Sequence, residues 1–108
     1  MFRQINFSEA NKIRQEIEKE YENLKELEKK RDKVREEKEQ IDRETPEKLR
    51  QAYLGPNSQQ KIAELTREIQ TSNCTYQRDI VNLNSDIRTT NAKIFQKQDQ
   101  LNALVGIR

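Results

Sequence analysis

The chain has 108 residues, a length that fits one domain. Charged side chains make up 37% of it and hydrophobic ones only 31%, against roughly 45–50% apolar residues, on a count that includes Gly, in compact domains. An ordinary globular core is therefore excluded, leaving disorder or a long coiled coil, which needs only two apolar positions in seven. The net charge of +2 is the small difference between 21 basic and 19 acidic groups, so nothing electrostatic favours nucleic acid. No apolar run approaches the ~20 residues of a membrane span.

The chain has no His and a single Cys, Cys74. Zinc and haem sites lack their ligand sets, the commonest general base is missing, and no Gly-rich phosphate loop is present. The expectation is a non-enzymatic protein without cofactors, binding no nucleic acid and inserting in no membrane. Met1-Phe2-Arg3-Gln4-Ile5-Asn6 has no apolar h-region. The expected location is cytoplasmic, with any export proceeding without a cleaved signal peptide.

Asn6 and Glu9 fit a capping box that opens a first helix, with Ser8 as an alternative cap, and the helix is expected over about 7–52. Ala10, Ile13, Ile17, Leu24, Leu27, Val34 and Ile41 follow at spacings of three, four and seven, one stripe of a helix, with Glu20, Arg31 and Lys38 interrupting it. The other faces alternate Glu and Lys and gain a few tenths of a kcal/mol per i,i+4 pair. Thr45-Pro46-Glu47 reads as a fresh helix start, so a kink or break is expected near 44–46, with a continuous, proline-kinked helix as the alternative.

Tyr53-Leu54-Gly55-Pro56-Asn57-Ser58 is the main cluster of helix breakers and predicts a reversal at 54–57. Gly55 is expected in the left-handed conformation that ends the first arm, with the Tyr53 ring packing across the open end of the hairpin. A generic Leu-Gly-Pro-Asn turn is the alternative at this point.

Asn57 and Gln60 offer a second capping box. The second helix, about 58–104, carries Ile62, Leu65, Ile69, Tyr76, Ile80, Leu83, Ile87, Ile94, Leu101 and Leu104 on a heptad-like seam, interrupted at Asn73, Thr90 and Lys97. Residues 1–52 hold 14 basic and 14 acidic side chains, but 53–108 only 7 and 5. Rich in Asn, Gln, Ser and Thr, the second helix needs packing to stay folded. Folding at the reversal sets Ile41 near Ile69, Leu27 near Leu83, Leu24 near Ile87 and Ile17 near Ile94, while Lys38 meets Asn73 and Glu20 meets Thr90. The fold class is all-α: a single-domain antiparallel two-helix hairpin spanning 1–108, completing a four-helix bundle with a partner, since so small a hairpin buries little area alone.

Away from that seam, Cys74, Val81 and Phe95 recur at spacings of seven and fourteen with Ala92 alongside. They form a candidate partner face, or else scattered surface apolar residues. Phe95-Gln96-Lys97-Gln98-Asp99 places an aromatic ring and an acid one helical turn apart, and none of the other five Phe and Tyr residues has an acid four positions on.

A length near one hundred residues, two amphipathic helices and the central Tyr53-Leu54-Gly55 turn resemble the WXG-type proteins of type VII (ESX) secretion. Tyr53 stands where that family usually has Trp, which points to a divergent branch similar to the LXG-toxin-associated small helical proteins of Gram-positive bacteria. The resemblance implies that Phe95 and Asp99 match the Phe-x-x-x-Asp export signal of the associated targeting factors. It implies a chaperone-like targeting factor for a type VII effector of the LXG class. The partners would be another small helical hairpin, the helical N-terminal domain of the effector, or a second copy of the chain. The competing reading is a structural or adaptor antiparallel coiled coil unrelated to secretion.

Overall fold

A computed structural model describes residues 7–106. Two α-helices, α1 (Phe7–Leu54) and α2 (Ser58–Val105), are joined by a reversal at 55–57, and the described residues contain no strand. The fold is the helical hairpin that the distribution of Gly and Pro predicts. The Asn6 half of the first expected cap lies outside the described residues.

The chain divides into two compact units. A terminal unit joins the part up to Lys29 with the part from Asn84 onward, and a turn unit spans Lys30–Leu83. In the terminal unit, Ala10, Ile13 and Ile17 of α1 and Ile87, Thr90 and Ile94 of α2 are buried, so the core is the one the heptad spacing marks out. The Thr90 hydroxyl donates to the Asp86 carbonyl at 2.9 Å, which satisfies its only donor locally and lets a polar residue sit in an apolar seam. The antiparallel pairing is fixed by two cross-helix contacts. The Lys97 ammonium meets Glu16 Oε2 at 2.8 Å, and Gln98 Nε2 donates to the Tyr21 hydroxyl at 3.2 Å.

The turn unit is packed more thinly. Ala52 is its one buried hydrophobic residue among those described, while Val34, Leu49, Ile62, Leu65, Ile69, Tyr76, Ile80 and Leu83 are half-buried. Ile41, expected on the seam, is 38% exposed. It borders a shallow groove of about 220 Å³ with Val34, Glu37 and Lys38 of α1 and Ser72, Thr75, Tyr76 and Asp79 of α2. The short Ser72 and Thr75 side chains leave that gap opposite Ile41, and the seam does not close over it.

Pro46 lies inside α1, which runs without interruption from Phe7 to Leu54. The fresh start expected at Thr45 is therefore replaced by the continuous alternative. Instead of capping, Thr45 donates its hydroxyl back to the Ile41 carbonyl at 2.7 Å, the habit of a Thr inside a helix. Proline removes the amide that would bond the Asp42 carbonyl. Asp42 and Pro46 are both exposed, so water can take that carbonyl, while Leu49 and Ala52 continue the seam beyond it.

The reversal also differs from expectation. The left-handed residue is Asn57, at φ 58°, and Gly55 has no positive φ. The Gly55 amide closes α1 on the Gln51 carbonyl at 3.1 Å, and the Asn57 carbonyl accepts from the Lys61 amide in the first turn of α2, also at 3.1 Å. Asn is among the few non-Gly residues that enter this conformation readily. Gly55 serves instead for close approach: a methyl group there would lie 3.3 Å from the Gln51 carbonyl and 3.5 Å from the Lys61 ammonium. The expected Asn57–Gln60 capping box does not form in that sense, because Gln60 reaches forward to Glu64 Oε1 at 3.4 Å.

Candidate interaction site

Around the turn, Tyr53 is 69% and Leu54 78% exposed. The Tyr53 ring does not pack across an end of the hairpin. The buried residue beside it is Ala52, at 4% exposure. Gly55 is half-buried behind it. The Tyr53–Gly55 motif thus divides into a glycine that shapes the backbone and an aromatic ring that the fold does not use.

In the turn unit, Cys74 and Val81 are both exposed, Cys74 as a free thiol. In the terminal unit, Ala92, Phe95 and Asp99 are exposed, Phe95 at 66%. Helical geometry explains the separation from the core. Ile87, Thr90 and Ile94 occupy one side of α2, and Phe95 begins a different side, one residue and about 100° further round. Phe95 and Asp99 share that second side at i,i+4 spacing. Asp99 takes part in no ion pair among the described residues, so its carboxylate is available to a partner.

Electrostatics inside the hairpin concentrate on one pair. The hydrogen bond and charge of Lys97 hold the Glu16 carboxyl below its ordinary value against an opposing desolvation, with Lys12 and Lys19 adding smaller attractions. Lys97 is legible in the residue order as a charged seam position, whereas Glu16 lies one residue off the apolar stripe and its partner is 81 residues away, so no local signal marks it. On α1, the Glu44 carboxyl is likewise lowered, first by the hydrogen bond from Gln40 at 2.7 Å and then by Lys48. Lys38 pairs with Asp42 on the same helix, which accommodates the charge that Lys38 brings to the seam.

The described residues hold no group of three or more Cys, Asp or Glu side chains suited to a metal ion, and no helix long and apolar enough to cross a membrane. No family model matches the chain, and neither a curated protein nor a solved structure matches it.

Proposed function

We propose that this chain is a non-enzymatic helical partner, a chaperone-like targeting factor for a type VII secretion effector of the LXG class, and that it contributes Phe95 and Asp99 to an export signal. The observation that carries the reading is the exposed pair itself. A phenyl ring 66% open to solvent stands one turn from a carboxylate that takes part in no ion pair among the described residues, on a side of α2 away from the core. An aromatic ring held out by a rigid helix beside an acid suits a pocket with an apolar floor and a basic rim. The partner is another small helical hairpin or the helical N-terminal domain of the effector, and the thin packing of the turn unit supports the need for one.

The test is export of the effector from cells carrying Phe95→Ala or Asp99→Asn in this chain. Export should fall while helicity by circular dichroism and co-purification with the effector are retained. Undiminished export in both variants would falsify the signal reading. A second reading, an adaptor coiled coil unrelated to secretion, is favoured by the exposed Tyr53, because the aromatic-x-Gly turn does not perform the packing role expected from its residues. Retained export and an unrelated co-purifying protein would select it.

A further inference from the structure

We infer that α2 carries a self-complementary face over residues 85–102 through which two copies of this chain pack antiparallel. Ser85, Arg88, Ala92, Phe95, Asp99 and Asn102 follow one another at spacings of three, four, three, four and three, the spacing of a helix–helix seam. All six are exposed, all belong to the terminal unit, and none is a buried seam residue of the hairpin. The other charged residues of this stretch, Asp86, Lys93 and Lys97, fall at different positions round the helix.

The occupant follows from the order of chemistry along that face. Set antiparallel about a two-fold axis between residues 93 and 94, the row matches itself. Phe95 lies against Ala92 of the second copy, Arg88 against its Asp99, and Ser85 against its Asn102, and the symmetry repeats each match. A large ring meets the one gap small enough to receive it, and the only two charges of the face meet their opposites. Neither Arg88 nor Asp99 has an ion-pair partner within the described chain. The parallel arrangement would set Arg88 on Arg88 and Asp99 on Asp99, so the charges select the antiparallel one. The apolar part amounts to two rings and two methyl groups. The contact therefore belongs below the roughly 1,200 Å² of stable interfaces and gives a weak dimer. That dimer covers Phe95 and Asp99, the pair assigned above to export, so the free signal exists only once it opens.

The experiment is sedimentation velocity of the whole chain from about ten micromolar to about one millimolar, with circular dichroism as the check on folding. The wild type should associate with rising concentration, and less so at high salt. Arg88→Asp and Asp99→Arg should each weaken association about tenfold, since each replaces two attractive pairs by two repulsive ones. The combined swap should restore it. A wild type that stays monomeric overturns the inference. So do single reversals without effect, or a swap that fails to rescue. The swap also separates this inference from the export reading: with Asp99 absent it should dimerise yet leave the effector unexported.

Discussion

Ile94 and Ile69 sit on the same seam of α2 but in differently packed units, so truncating each to Ala measures how unevenly the hairpin is held. Ile94 is 5% exposed in the terminal unit, which also buries Ala10, Ile13 and Ile17 of α1, while Ile69 is only half-buried. Removing three carbons from a fully buried site costs ~2.4 kcal/mol at about 0.8 kcal/mol per methylene. The cavity adds to this, but a two-helix seam has open edges that can relax, so Ile94→Ala belongs near the low end of the ~2–5 kcal/mol range for such changes. At Ile69 about half the transfer is lost, roughly 1 kcal/mol. Urea melts followed by circular dichroism, at a concentration where the chain is monomeric, give both values, with an unchanged m confirming a common unfolding reaction. Equal losses at the two positions would refute the reasoning, because Ile69 would then be as covered in solution as Ile94.

The turn yields a ranked pair of losses. Asn57→Ala should cost about 1 kcal/mol for a left-handed residue, and Gly55→Ala less, since its φ is not positive and only the 3.3 Å approach to Gln51 must relax; thermal melts rank them. Pro46→Ala should stabilise α1 by restoring the amide to the Asp42 carbonyl, up to about 3 kcal/mol, and a melt no higher than the wild type would show that the proline costs the helix nothing. The folded Glu16 carboxyl titrates below its ordinary value of 4.5. Its contribution to stability is therefore complete above the unfolded value and is lost as pH falls through the lowered folded one. Glu16→Gln should flatten that acid limb, and carboxyl NMR of the wild type should find the lowered midpoint; an ordinary midpoint would remove the Lys97 pair from the account.

Much of this architecture is legible in residue order because helical periodicity and chain breakers are local signals. Ala10, Ile13, Ile17, Ile87 and Ile94 are buried where the three-four spacing puts them, and Glu20, Arg31, Lys38 and Lys97 are half-buried as charged interruptions of the same stripe. The misreadings arise where a local rule competes with the neighbouring helix. Thr45-Pro46-Glu47 has the composition of a helix start, yet the seam continues through Leu49 and Ala52 and keeps α1 whole. Gly55 has the composition of a left-handed terminator, yet Asn57 takes that conformation and Gly55 answers a demand for space. Ile41 has the right phase but faces short side chains on the opposite arm, a fact that only the register between the arms reveals. The Phe95 and Asp99 pair is legible as a spacing and as an exposed face, because both are helix-periodic properties.

The unequal division of charge between the helices links these features. α1 carries its own i,i+3 and i,i+4 pairs, such as Lys29 with Glu26 and Lys48 with Glu44, which favour the helix by a few tenths of a kcal/mol each. α2 has few such pairs. Its outer side carries Asn, Gln, Ser and Thr, residues that compete with their own backbone, and Thr66, Thr89 and Thr90 all return their hydroxyls to carbonyls one turn back. A helix of that composition draws its stability from what covers it. In the terminal unit α1 covers one side, leaving Phe95 and Asp99 on a side whose burial would stabilise α2 further. Binding there should therefore slow amide exchange along 85–102 well beyond the contacted side chains. Hydrogen exchange of the chain with and without saturating partner tests this, and protection confined to α1 would mean that α2 does not need the cover.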